Sequence, residues 1–384
     1  MMLRRSWLAL TVLAAALTLG QPAARALETK AEEAIVLDHT TGEVLYAKHP
    51  DRRIPPASMS KMMTAYVVFD RIRNGDLSLD DTFTISEKAW RKGGSKMFVE
   101  VGNEVSVENL LKGMIVQSGN DASIALAEGV AGTEEAFAQL MTRKAREIGV
   151  DKSTFQNATG WPDPDHRVTV RGLAQIARHI IEDFPKLYEF FSQREFSWNG
   201  IRQFNRNPLL GRGMGVDGLK TGHTQNAGYG LTASAERDGR RLIVVVAGLD
   251  RPSGRENEAA RLLKWGFREF GTYTLFAKGE TVEKARLWLG TEGSVPLVTR
   301  KDVKMTLPRD KREELTATVI YDSPVPAPVE KGERLATLRL EAPDKDTTTI
   351  PLVAARSVDQ LGPVGRLAGG LQFLLFGPPT PETK

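Results

Sequence analysis

Apolar positions along this 384-residue chain change period three times, and each change marks a different kind of element. Residues 34–38 and 43–48 are apolar β-formers flanking His39-Thr40-Thr41-Gly42, which predicts a hairpin. Pro55-Pro56 then breaks the chain. From Ser58 to about Arg73 the apolar residues recur as Met62, Ala65, Tyr66 and Phe69, a helical spacing. Residues 107–117 predict a second helix with Leu110, Leu111, Met114 and Ile115 on one face, ended by Ser118-Gly119-Asn120. Helices also fit 122–130, 134–148 and 170–181. Strand patterns return at 229–235 and 242–247 around a turn at Asp238-Gly239, and a helix over 256–270 closes the region. Strands at both ends with helices between them predict an α/β sheet packed against a helical cluster.

Beyond Gly271 the pattern shifts again. Short Val, Leu and Thr runs cut by Gly, Pro and charge pairs predict a small all-β domain over 272–362. The tail, 363–384, places Val364, Leu367, Leu371, Leu374 and Leu375 at helical spacing; Phe373 and Phe376 widen the stripe, and Gly377-Pro378-Pro379 stops it. About a dozen residues are too few to span a bilayer. Lying in the membrane interface is the expectation, with packing on the chain's own β domain as the alternative.

The first 26 residues read as a signal peptide, with Arg4-Arg5 before an apolar stretch from Trp7 to Leu19 and an Ala24-Arg25-Ala26 cleavage site. This leader holds three arginines and no acid, so its removal takes the formal charge from +4 to +1. The basic balance therefore does not argue for nucleic acid, and no Lys or Arg run suggests a phosphate-tracking patch. With no cysteine the chain has no disulfide, and it is long enough to bury a core without one. These features fit an exported bacterial envelope protein, with a catalytic domain over 27–271.

Three short motifs carry candidate chemistry: Ser58-x-x-Lys61, Ser118-x-Asn120 and Lys220-Thr221-Gly222. A serine hydroxyl is a poor nucleophile without a base beside it. Ser58 and Lys61, one helical turn apart, share a face. Lys61 can serve as that base only if its pKa falls, through burial or a second cation, and Lys220 is the expected second cation. A Ser-His-Asp site lacks support, since the chain has five histidines and no Gly-x-Ser-x-Gly elbow. No metal-ligand motif occurs, and no cofactor is expected. A second Ser-x-Asn, Ser197-Trp198-Asn199, lies too near Lys220 to fit the order. Asp121 is read either as a cap for the helix over 122–130 or as an active-site group.

In this order, and with the flanking Pro56-Ala57, Asp121-Ala122, Asn157-Ala158-Thr159-Gly160 and Gly218-Leu219, the motifs resemble those of the low-molecular-mass penicillin-binding proteins that act as serine-type D-alanyl-D-alanine carboxypeptidases. The resemblance implies a β-lactamase/transpeptidase-like fold followed by a small β domain and an amphipathic anchor. It implies removal of the terminal D-alanine from peptidoglycan stem peptides through an acyl-enzyme, with β-lactams as inhibitors. By it, Ser58 is the nucleophile, Lys61 the base, Ser118 the proton donor to the leaving group and Lys220 a holder of charge. Asn120 contacts the acyl side, and Ser58 and His223 offer backbone N–H groups to the oxyanion. Thr221, beside Gly222, and Arg255 grip the terminal carboxylate, although Arg251 lies nearby. The expected location is the periplasmic face of the cytoplasmic membrane. D,D-endopeptidase, β-lactamase and a non-catalytic wall-binding scaffold are the alternatives; against a class A β-lactamase, no Glu-x-x-Leu-Asn segment occurs.

Overall fold

The computed structural model describes residues 27–376, without the side chains of residues 372, 373 and 376; the leader over 1–26 and the Gly377-Pro378-Pro379 stop lie outside the described residues. The predicted hairpin forms as β1 (Glu33–Asp38) and β2 (Val44–Lys48). A helical cluster follows: α1 (Lys61–Arg73), α2 (Val107–Val116), α3 (Asn120–Ala131), α4 (Glu134–Glu147) and α5 (Val170–Asp183). The chain then returns as β3 (Val216–Thr224), β4 (Gly228–Arg237) and β5 (Arg240–Leu249), and α6 (Pro252–Glu269) closes the unit. The five strands form one antiparallel sheet in the order β2-β1-β5-β4-β3, so the Lys-Thr-Gly strand is an edge.

The sheet is covered on both faces, and that explains the unbroken apolar run of β5. Ile243 and Val245 join the core shared with α1 to α5, while Leu242, Val244 and Val246 pack with Leu262 and Leu263 of α6. A strand buried on both faces needs no polar alternation. Helix α1 is likewise buried almost all round from Lys61 to Asp70. Its apolar spacing located the helix but understated how far it is enclosed.

Two helix starts are among the boundaries that differ from expectation. Residues Ala57–Ser60 form a 3₁₀ turn, and the α-helix begins only at Lys61. Ala57 has φ of 49°, and the Met59 N–H donates to the Pro56 carbonyl, which tightens the entry. The second is α6, which starts at Pro252 rather than at 256. Proline at a first helical position costs no hydrogen bond.

Beyond α6 the strands Phe270–Phe276 and Val303–Pro308 pair, and a separate six-stranded sheet surrounds its own core of Val295, Leu297, Leu338 and Leu352. Buried Asp38 joins the two parts, accepting from Arg240 Nε at 2.9 Å and Thr272 Oγ1 at 2.7 Å. Helix α7 (Pro363–Phe376) ends the described chain, and no helix among the described residues is long and apolar enough to cross a membrane.

Candidate active site

The Ala57–Ser60 turn is held between two backbones that come close only because each carries a glycine. A Cβ at Gly160, where φ is +77°, would fall 1.8 Å from the Ala57 carbonyl oxygen; one at Gly222 of β3 would fall 2.7 Å from the Pro56 oxygen. The Asn157 side chain shapes the first backbone, its Oδ1 accepting from the Thr159 hydroxyl at 2.9 Å and from the N–H groups of Gly160 and Trp161 at 2.8 and 3.0 Å. Side chains three residues apart eclipse one another on a 3₁₀ turn. Ser58 and Lys61 thus meet directly.

Lys61 is buried, and its ammonium nitrogen lies 3.0 Å from Ser58 Oγ, 2.8 Å from Asn120 Oδ1 and 2.7 Å from the Thr159 carbonyl oxygen. Asn120 Nδ2 donates to the Gly93 carbonyl at 2.8 Å, so its Oδ1 is the end turned to Lys61. Two of the three partners are oxygens that only accept. When Lys61 is neutral it keeps two N–H bonds for those two, and its lone pair is left for the one partner with a proton to give, Ser58. Burial, and next the nearby Arg206 guanidinium, push the Lys61 pKa down to about 7. Unfolded lysine still binds its proton between that value and its ordinary range, so folding stability rises with pH across this window.

Lys220, also buried, is held well below the usual lysine range by burial first, and then by Lys61, Arg206 and Arg255. The second cation expected to act on Lys61 was Lys220; the one that ranks next after burial is Arg206. Sequence reading missed Arg206 because no motif contains it. Its only signal is a lone arginine between two turn-forming asparagines, of which Asn207 donates to the Gly218 carbonyl of β3 at 2.7 Å.

Ser118 sits between α2 and α3 with φ of 67°, and its buried Oγ has no hydrogen-bond partner among the described residues. A buried hydroxyl without a protein partner costs stability unless water or a ligand meets it. Asp121 lies within α3 rather than before it, fully buried, accepting from the N–H groups of Met97, Phe98 and Ala122 at 2.9 Å each. It clamps the preceding loop and does not face the cleft. His166 is neutral near pH 7: burial lowers its pKa to about 4, and Nε2 lies 2.8 Å from Ser60 Oγ.

A cleft of about 280 Å³ opens over this group, lined by Ser58, Ser95, Ser118, Arg206, Thr221 and Arg255 among others. Arg255 donates to the Gly222 carbonyl at 3.3 Å and lies over the Tyr229 ring. Its buried Nε has no partner among the described residues, which leaves a donor for a ligand. Arg251 borders a different cleft. His223 is exposed and stacks on Tyr229 at 3.8 Å, so its side chain is rim. Ser197-Trp198-Asn199 runs from the short strand Glu195–Trp198 into a hairpin turn and lines none of the cleft.

The arrangement suits nucleophilic attack by a serine with a lysine base. Known proteins resemble the chain in both of its parts. The D-alanyl-D-alanine carboxypeptidase family matches residues 20–251, and the family described as the C-terminal domain of penicillin-binding protein 5 matches residues 270–360. A D-alanyl-D-alanine carboxypeptidase of Haemophilus influenzae is 37% identical over 353 residues, covering 90% of each chain. The crystal structure of penicillin-binding protein 5 from the same organism superposes with a TM-score of 0.80 at 37% identity, over 87% of this chain and 99% of that one. Ampicillin-bound penicillin-binding protein D2 of Listeria monocytogenes matches at a TM-score of 0.58 and 30% identity, over 63% and 99%.

Proposed function

Because this chain belongs to the D-alanyl-D-alanine carboxypeptidase family, we propose that Ser58 attacks the carbonyl joining the two terminal D-alanines of a peptidoglycan stem peptide. The protein is a serine hydrolase of the penicillin-binding class. Lys61 takes the hydroxyl proton as the bond forms. The backbone N–H groups of Ser58 and His223 hold the developing oxyanion. Ser118 passes a proton to the departing D-alanine nitrogen, and Lys220 stabilises the charge of that relay. Asn120 has a second Nδ2–H beyond the one given to Gly93, and donates it to the acyl part of the substrate. Water then attacks the ester and frees Ser58. β-Lactams acylate the same hydroxyl.

The observation that carries this reading is the 3.0 Å contact between Lys61 Nζ and Ser58 Oγ, with the other two lysine partners unable to donate. The unpartnered Ser118 hydroxyl supports its place in the relay.

Thr221 and Arg255 bind the terminal carboxylate, and this distinguishes a carboxypeptidase from an endopeptidase. A peptide with that carboxylate amidated is expected to react roughly 10- to 100-fold more slowly, the scale of one charge-assisted hydrogen bond. Arg255→Ala should remove most of the difference in kcat/KM between the two peptides. If wild-type enzyme hydrolyses both at the same rate, the D,D-endopeptidase reading replaces this one.

Export by the leader over 1–26 and attachment to the outer face of the cytoplasmic membrane through α7 complete the proposal. In support, Val364, Leu367, Leu371, Leu374 and Leu375 of α7 are 53–83% exposed, which disfavours the packed alternative. Arg366 is the only basic residue of the helix, so binding should rest on apolar area and resist moderate salt. Mature protein is expected to float with lipid vesicles, and protein ending at Gly362 to stay in solution with full activity on small peptides. Failure of the intact mature protein to float would contradict the anchor.

A further inference from the structure

The loop that packs on Asn120 carries a cation to which the steps above assign no contact with substrate. Lys92 is half-buried, its ammonium sits 4.3 Å over the centre of the Trp161 ring, and it has no carboxylate partner among the described residues. The loop that follows it is tied to the site. Gly93, next in sequence, gives its carbonyl to Asn120 Nδ2, and the Ser95 carbonyl accepts from the Asn120 N–H at 2.7 Å. A Cβ at Gly94 would lie 2.8 Å from Asn120 Nδ2 and 3.2 Å from the Trp161 ring, so one glycine backbone separates that ring from the Asn120 amide. Trp161 is 43% exposed, and it follows Gly160, the residue pressed against the nucleophile turn.

Lys92 is therefore placed beside Asn120, the residue given above to the acyl part of the substrate. Arg255 serves the terminal carboxylate, and an ammonium beside Asn120 with no carboxylate partner among the described residues can take a second anion. We propose that Lys92 and Trp161 form an acyl-side subsite for a carboxylate borne by the stem peptide one or two residues before its D-alanine pair. The aromatic face holds the ammonium out of bulk water, where an ion pair is stronger, and offers the aliphatic part of the substrate side chain an apolar surface. Two carboxylates have this chemistry: that of a dicarboxylic diamino acid at the third peptide position, and the α-carboxylate of a γ-linked glutamate at the second. This inference rests on the acyl-enzyme reading above.

The test measures kcat/KM for three synthetic pentapeptides ending in D-Ala-D-Ala: one with both internal carboxylates free, and one with each amidated in turn. Wild type is expected to discriminate roughly tenfold against one of the two amides, which identifies the carboxylate, with the preference shrinking as salt rises. Lys92→Gln should bring the ratio below about twofold, and Lys92→Arg should retain it. Lys92 also lowers the Lys61 pKa. That effect acts on all three peptides alike and leaves their ratio untouched, so a Lys92→Gln variant that slows every peptide by one common factor overturns the subsite. A wild type that discriminates against neither amide overturns it too, while normal penicillin labelling of Ser58 would leave the underlying reading intact.

Discussion

Replacing Ser58 by alanine is expected to abolish D-alanine release and penicillin labelling together, with a fall in turnover on the order of 10⁴-fold or more. On the proposed reading the Ser58 hydroxyl oxygen forms the ester, and no other group in the cleft should substitute for it. Ser118 also has a hydroxyl with no partner among the described residues, but the Lys61 lone pair faces Ser58, because Asn120 Oδ1 and the Thr159 carbonyl occupy the remaining N–H bonds. The change removes one half-buried oxygen from a turn held by backbone contacts at Gly160 and Gly222, so the fold should survive. An unaltered circular dichroism spectrum and melting transition alongside lost labelling is the expected pair of results. Labelling that persists would assign the nucleophile to another serine.

Lys61→Arg is expected to slow acylation by about 10² or more, the usual scale for loss of a general base. Guanidinium keeps the charge but does not shed its proton below about pH 12. The pH profile separates this from a steric effect. With a Lys61 pKa of about 7, wild-type acylation should rise with pH through that value, since the base works only when neutral, and fall as acid protonates it. In Lys61→Arg the residual rate should show no such acid limb. Stopped-flow acylation by a chromogenic cephalosporin between pH 5 and 9 makes the comparison. A full-strength acid limb in the variant would move the base elsewhere.

Much of this was legible in the sequence where local spacing carries the information. The β1–β2 hairpin, α1, α2 and the β4–β5 pair follow from apolar period and turn residues alone, and Asp238-Gly239 forms its turn with φ of 51° and 72°. The pairing of Ser58 with Lys61 was legible for the same reason, since three residues on a turn bring side chains together. What escaped reading depends on contacts between distant segments. Arg206 enters the site through Asn207 bonding to Gly218, and nothing within the loop announces that. Asp121 could be read as a helix cap or an active-site group; the N–H groups of Met97 and Phe98, 23 or more residues away, settle it as a loop clamp. The 3₁₀ entry at Ala57–Ser60 arises from close approach of the Gly160 and β3 backbones, which no propensity scale contains.

The central claim is that Ser58, activated by Lys61, carries the acyl group. The most direct measurement exposes mature protein briefly to penicillin, digests it, and locates the added mass by tandem mass spectrometry. The account predicts one penicilloyl group per chain, on the peptide containing Ser58, with the fragment ions placing it on that serine and not on Ser60. Adduct on Ser60 or Ser118, or no adduct on any serine, would contradict it.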